Sequence, residues 1–303
     1  MKKIKFIILI LLLGVLAWYL FIKPNDSIIE FKAKTSPGTL FKGVEEWSLT
    51  NQKLDSSQYT INTKTPFEFI SQTVVSENMS LNINWYFQSI NDSISLARAG
   101  INEKEHSIFN RLTAPFLETK FKTKSLNLIQ DYKNGMDFQL EHKFKVKIIG
   151  IDTIPESTYA YISLTNITSR DKAKEMMKNN ATLLTFLEEH ELKRKNFPFI
   201  IIDKWDMYND LIDFRFCFAI KDRDSLPVSN NIKFDKLISK SAIKAMYYCN
   251  YKTSDIGWFA LYDYALRHEM SILEKPMEFF LNNPFYGGDE LEWKAEIFMP
   301  INY

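Results

Sequence analysis

Glu296 stands in the run Trp293-Lys294-Ala295-Glu296-Ile297-Phe298-Met299. Strand alternation sorts Trp293, Ala295, Ile297 and Met299 onto one face and Lys294, Glu296 and Phe298 onto the other. The apolar face is expected to pack on helices. Two readings of Glu296 remain open. In a partly desolvated cleft the carboxylate pairs with a cation or serves as a general base; on an open face it is a solvated neighbour of Lys294. The run Ile212 to Ile220 sorts likewise, with Phe214, Phe216 and Phe218 toward a helix and Asp213, Arg215 and Cys217 on the opposite side. A nucleophilic Cys217 needs a base and an orienting group in reach, and neither can be named, so a small sheet-face thiol is expected. Pairing of Cys217 with Cys249 stays open only if their Cα atoms approach within about 7 Å.

Tyr159 and Tyr161 alternate with Ala160 and Ile162, and Met246 and Tyr248 are their approximate counterparts further on. Aromatic walls around one acidic group suit a planar or cationic ligand through stacking and cation–π contact. A packed aromatic core is the competing reading. Trp205 either closes the rim of such a cleft or stands on a surface loop. The candidate ligand-binding set is therefore Glu296, Tyr161, Tyr248, Trp205 and Phe298, with no catalytic residue assigned.

Other chemistries lack their residues. His106, His142, His190 and His268 are scattered without metal-ligand spacing, so no metal is expected. The chain has no G-x-x-x-x-G-K-[ST], G-x-G-x-x-G or G-x-S-x-G segment, so no cofactor is expected and no nucleophile elbow is present. Lys plus Arg number 38 against 37 Asp plus Glu, which leaves no global field for nucleic acid, and no nucleic-acid partner is expected. Lys193-Arg194-Lys195 reads as a solvated turn at a helix end.

The elements that must position these side chains begin with the uncharged apolar run Phe6–Ile22, preceded by Lys2, Lys3 and Lys5 and closed by Lys23-Pro24. That length is near the lower limit for a single membrane span, and Trp18 and Tyr19 suit the interface. The run lacks the small residues of a cleavage site, so an uncleaved anchor is expected over a signal peptide or a buried core helix. The N-terminal lysines favour an N-in, single-pass membrane protein with periplasmic or extracellular soluble domains.

The chain has 303 residues, 46% of them hydrophobic, enough for two packed domains after the anchor. Residues 28–34 alternate as a strand, and Ser36-Pro37 opens a helix carrying Leu40, Val44 and Trp47, which closes it. Three strands follow over 67–75, 81–90 and 93–101, with Asn91-Asp92 as a hairpin turn. A loop containing Pro115 leads to a helix over about 121–140. This order, with Trp47 and the strand Leu81-Asn82-Ile83-Asn84-Trp85-Tyr86-Phe87, resembles the START-like (SRPBCC) helix-grip family over residues 27–142. The resemblance implies a ligand-binding half; a structural spacer or partner-binding domain is the alternative.

Residues 144–303 contain an internal repeat, each half running strand, helix, strand, strand. In the first half strands are expected over 146–151, 158–164, 197–203 and 210–220, and a helix from Ser169 through about Leu192. In the second, strands are expected over 242–251, 277–282 and 291–301, and a helix capped by Ser254-Asp255 through about Met270. Gly257-Trp258-Phe259-Ala260-Leu261-Tyr262-Asp263-Tyr264, Pro276-Met277-Glu278-Phe279-Phe280-Leu281-Asn282-Asn283-Pro284 and Glu296-Ile297-Phe298-Met299-Pro300-Ile301 make this region similar to the GyrI-like effector-binding domain of AraC-type and related multidrug-sensing regulators. That family implies two pseudo-symmetric halves enclosing a cleft for a small hydrophobic or cationic molecule, with Glu296 inside it. Phe280 stands where the family usually has Tyr, so a hydrogen bond from that wall is lost.

The expected fold is thus α+β: a transmembrane helix (1–23), a helix-grip-like α+β domain (27–142) and a pseudo-symmetric duplicated β-α-β-β domain (144–303). The expected function is membrane-tethered binding or sensing of a small molecule, without a DNA-binding domain of its own and with its protein partner unassigned. The alternatives are a hydrolase of small electrophiles using the same cleft, as in a subset of the GyrI-like family, and a structural or partner-binding protein with a vestigial pocket. A probe cysteine at Asn230 should react with a membrane-impermeant maleimide on intact cells. Protection until lysis would place the soluble domains in the cytoplasm.

Overall fold

The computed structural model describes residues 2–54, 57–76, 79–113, 116–284 and 287–302; Pro115 lies outside the described residues. The chain divides into two compact units, Met1–Phe138 and Gln139–Tyr303.

In the first unit the apolar run forms α1 (Lys2–Ala17) and a π-helical turn, Trp18–Ile22. Together they contain one helix, Lys3–Ile22, that is long and apolar enough to cross a bilayer. β1 (Ser27–Ala33), α2 (Pro37–Leu54), β2 (Gln58–Thr65), β3 (Phe69–Ser76), β4 (Met79–Asn91), β5 (Ile94–Glu103), α3 (Ser107–Thr113) and α4 (Lys120–His142) follow. The antiparallel sheet runs β1-β5-β4-β3-β2. Trp47 does not close α2, which continues to Leu54; its indole Nε1 instead donates to Asp131 on α4 at 2.7 Å. Tyr132 on α4 donates to the Leu40 carbonyl at 2.7 Å and its ring meets Trp85 of β4 at 5.1 Å. A Cβ at Gly43 would lie 2.2 Å from Met136 Cε, so a side chain there would force the end of Met136 to shift. β2 and α3 escaped the sequence pattern: β2 is an exposed edge whose one buried side chain is Tyr59, and α3 is a two-turn helix.

In the second unit β6 (Lys145–Thr153), β7 (Ser157–Thr168), α5 (Lys172–Glu189), β8 (Phe199–Asp206), β9 (Leu211–Ile220), β10 (Lys233–Leu237), β11 (Ser241–Tyr248), α6 (Ile256–Arg267), β12 (Met277–Phe280) and β13 (Lys294–Pro300) form one sheet in the order β10-β7-β9-β8-β12-β13-β11-β6. Two strand–helix–strand–strand runs, β7-α5-β8-β9 and β11-α6-β12-β13, meet where β8 pairs with β12 through Met277↔Ile201, Glu278↔Ile200 and Phe279↔Phe199. The leading strands cross over: β6 pairs with β11 and β10, unforeseen in the sequence, pairs with β7. Both helices are shorter than expected. Ser169 opens a 3₁₀ turn capped by Thr168, whose hydroxyl accepts from the Asp171 amide, and α5 starts at Lys172. Asn250 plays the same part before α6, accepting from the Lys252 amide.

The two runs are tied by a buried ion pair. Lys172 Nζ donates to Glu278 Oε1 at 2.6 Å and to Ser254 Oγ at 2.8 Å, and Ser254 Oγ donates to Glu278 Oε2 at 2.7 Å. Lys172 and Glu278 are both 0% exposed, and the ammonium also lies 4.5 Å from the Trp258 ring centre. Removing one member of such a pair strands the other charge in low dielectric, at a cost of about 3–5 kcal/mol. Lys172→Met should therefore lower the urea-unfolding free energy of the detergent-solubilised chain by about 3–5 kcal/mol, and adding Glu278→Leu should restore much of it. A single-variant loss below about 1 kcal/mol, the range of exposed pairs, would show that this pair does not hold the runs together.

Candidate functional site

The sheet of the second unit has two different faces. α6 packs close on β13, where a Cβ at Gly257 would lie 2.2 Å from Ile297 Cδ1. Period-two alternation therefore turns Glu296 and Phe298 to the opposite face. Strand register sets one row across that face, from Lys233 and Tyr161 through Cys217, Phe199 and Phe279 to Glu296, Met246 and Lys147. Its middle is aromatic: Phe199 stacks on Phe279 at 4.9 Å and 8°, Phe279 meets Phe298 edge-on at 5.5 Å, and Tyr159 contacts Phe199 at 5.4 Å and Tyr161 at 5.6 Å.

Charged clusters flank this aromatic stretch. On β9, Arg215 makes a bidentate pair with Asp203 at 3.0 and 2.7 Å and donates to the Tyr159 hydroxyl at 2.6 Å and to Asp235 at 3.1 Å. On β11, Lys244 Nζ lies 2.8 Å from Glu296 Oε1 and 2.9 Å from Asp152 Oδ2, and 5.0 Å from the Phe298 ring centre. Partial burial disfavours the Lys244 ammonium, yet the hydrogen bonds to Glu296 and Asp152 outweigh it and raise its pKa. The same contact lowers that of Asp152.

Glu296 is 29% exposed and lines a cavity of about 1000 Å³ with Phe279, Phe280, Phe218, Leu184 and Leu187. Lys193, Arg194 and Lys195 also line it while remaining exposed, as expected of a solvated turn, and Arg194 lies 5.5 Å from the Phe218 ring centre. A smaller cavity of about 230 Å³ adjoins, bounded by Met176, Phe216, Tyr251, Phe280 and Trp293.

Of the sequence-derived set, Glu296 and Phe298 share a strand and a face, and Phe298 is fully packed. Tyr248 is on the same face one strand over, opposite Lys294, with the Lys145 and Lys294 ammonium groups each 5.9 Å from its ring centre. Tyr161 is four strands from Glu296, about 19 Å along a flat sheet at about 4.8 Å per strand. Trp205 is a correction. It packs on α6 against Trp258, Phe259 and Tyr262 at 5.6, 6.0 and 6.1 Å, because an irregularity between Ile202 and Lys204 places it opposite Ile212 and shifts it to the helix face. Cys217 and Cys249 are both free and buried. Lys244, the ion-pair partner of Glu296, was missed, although it has the same strand parity as Met246 and Tyr248. Among the described residues no cluster of three or more His, Cys, Asp or Glu is arranged to hold a metal ion.

No protein family matches the chain, and no curated protein does. Solved structures similar to it include the C-terminal domain of EcmrR, at 16% identity and a TM-score of 0.43 over 52% of this chain and 98% of that one. A hydrolase from Listeria innocua aligns at 10% identity and 0.32 over 55% and 98%. The di-domain ARO/CYC protein BexL from the BE-7585A biosynthetic pathway aligns at 9% and 0.28 over 91% and 85%. Each likeness is distant.

Burial pushes the Cys217 thiol well above its ordinary value of 9.0 and raises Cys249, Tyr159 and Tyr247 as well. A group whose pKa is raised by folding contributes stability below its unfolded pKa and loses it above, because the unfolded chain releases the proton first. The urea midpoint should hold from about pH 7 to 8 and fall beyond about pH 9. A flat midpoint to about pH 11 would contradict the burial of these groups.

Proposed function

We propose that the chain is a membrane-tethered small-molecule-binding protein whose site is the cavity beside Glu296. We read the first unit as a START-like helix-grip domain and the second as a duplicated GyrI-like effector-binding domain. The soluble units are assigned to the periplasmic or extracellular side. The two strand–helix–strand–strand runs, joined through β8 and β12 with crossed leading strands, support the duplication.

The observation that carries the binding reading is the joining of a cavity of about 1000 Å³, at the upper end of the ligand-pocket range of about 300–1000 Å³, to aromatic walls and the partly exposed Glu296 carboxylate. Phe279, Phe280 and Phe218 favour an apolar, planar ligand. Glu296 is already paired with Lys244 at 2.8 Å, an ammonium it shares with Asp152, so a cationic ligand competes with that ammonium for the carboxylate. A hydrolase on the same cleft would need a nucleophile or a base beside Glu296. Lys244, held protonated between two carboxylates, supplies neither, and Cys217 is a buried, protonated thiol on β9.

A thermal-shift screen of neutral and cationic aromatic compounds on the full chain in detergent tests this reading. Neutral ligands should bind wild type and Glu296→Gln alike and weaken in Phe279→Ala. Cationic ligands should tighten in Lys244→Met by about 10- to 150-fold, the equivalent of a charge-assisted contact of about 1.5–3 kcal/mol. Hits of both classes indifferent to Phe279→Ala and Lys244→Met would remove the cavity from consideration as the site.

A further inference from the structure

Helix α3 (Ser107–Thr113) is built inside out. Asn110 and Arg111 are buried. Ser107 and Arg111 Nε donate to Asp26 Oδ1 at 2.5 and 2.8 Å, and Asn110 Nδ2 donates to Glu103 Oε2 at 2.7 Å. Positions i, i+3 and i+4, which on a helix in water are the apolar stripe facing the core, are here the polar ones. The opposite face carries Ile108, Phe109 and Leu112, all exposed, with Phe109 at 59%; Phe116 at 84% and Leu117 continue the apolar surface past the helix end.

What covers this surface is indicated by where α3 is fastened. The Tyr19 hydroxyl donates to the Arg111 carbonyl at 3.1 Å, and Arg111 Nη1 donates to the Leu20 carbonyl at 2.9 Å. Both partners belong to the π-helical turn that ends the apolar N-terminal helix. Lys23 Nζ lies 4.7 Å from the Tyr19 ring centre, and Trp18, Tyr19 and Lys23 are the residue types that settle at the headgroup level where a span leaves the bilayer. The hydrogen bonds therefore hold α3 at that level, with its apolar face unpartnered among the described residues.

We propose that α3 lies in the membrane interface beside the exit of the anchor, with Ile108, Phe109, Leu112 and Phe116 entering the boundary between headgroups and acyl chains. Interfacial helices of this polarity bury their apolar face about 5–10 Å deep. Anchor and helix then form a two-point attachment that fixes the tilt of the first unit on the bilayer. The proposal rests on the reading of Lys3–Ile22 as a membrane span.

The test is spin-label accessibility on the full chain in phosphatidylcholine vesicles, in a Cys217→Ala, Cys249→Ala background. Single labels are placed at Phe109→Cys and Phe116→Cys, with Leu12→Cys as the reference for the span and Val228→Cys, 98% exposed, as the reference for water. Circular dichroism confirms that each labelled chain is folded. The ratio of collisions with oxygen to collisions with a water-soluble nickel chelate should shift at 109 and 116 toward the Leu12 value and away from Val228. If 109 and 116 match Val228 while Leu12 reads as lipid, the anchor stands and the interfacial helix is refuted. If Leu12 also reads as water, the span itself is wrong and the proposal falls with it. Labels at 109 and 116 shielded from both reagents would mean a protein surface, a second copy or a partner, covers α3 instead, which equally overturns it.

Discussion

The carboxylate of Glu278 has no exposed surface, and a charge in that position is tolerated only if charge and hydrogen bonds compensate it. Its compensation comes from Lys172, the first residue of α5, and from Ser254, two residues before α6. One side chain on a four-residue strand thereby holds the starts of both helices. The consequence reaches the other face of the sheet. Because strand side chains alternate, turning Glu278 toward the helices turns Met277 and Phe279 away from them. A slip of one residue would exchange the two faces and bring a carboxylate to the place where Phe279 now stacks on Phe199 beside Glu296. The place of Phe279 in the cavity wall beside Glu296 is thus decided by an ion pair whose members do not line the cavity.

Charge on the face of the sheet that carries Glu296 is organised by the crossed edge strands. Arg215 and Lys244 each bind two carboxylates. In both clusters one carboxylate belongs to an edge strand, Asp235 of β10 and Asp152 of β6. Each edge strand precedes, in the chain, the run opposite to the one it pairs with, so its carboxylate also locks that crossover. Lys193, Arg194 and Lys195 also line the cavity, so its charge is not set by Glu296 alone. On the proposed binding reading, the apolar walls would decide what is retained, and the carboxylate would decide among cations able to compete with the Lys244 ammonium.

Facing along regular strands was legible in the sequence. Alternation alone placed Glu296, Phe298, Arg215, Tyr159 and Tyr161 on one side of the sheet, and the register puts them there. What failed did so where the period breaks or the apolar signal is faint. Trp205 lies past an irregularity in β8 that inverts its face. Asp152 lies past a shift between Lys244 and Ala245, beside Gly150 with φ +109°, a conformation that favours glycine. β2 and β10 are edge strands with one buried residue each, which leaves no apolar face to count. Lys244 was readable in principle, since its parity matches Met246 and Tyr248; a lysine between apolar neighbours was passed over because its partners come from other strands.

Helix α3 shows a deeper limit of pattern reading. The run Ser-Ile-Phe-Asn-Arg-Leu-Thr has two faces on a helix, but periodicity does not say which one meets solvent. That choice is made at long range, by Asp26 and Glu103, both buried and both needing donors. A buried carboxylate left without its partner costs about 3–5 kcal/mol, against about 1.5–3 kcal/mol gained by burying one large apolar side chain. Turning the apolar face inward would forfeit two such compensations at once, so in water the competition is close. Beside a bilayer it is one-sided, because Ile108, Phe109 and Leu112 then leave water without displacing Arg111 from Asp26. The polarity of this helix is therefore the outcome expected of a short segment that must satisfy a buried charge on one side, and the proposed contact with lipid would complete it on the other.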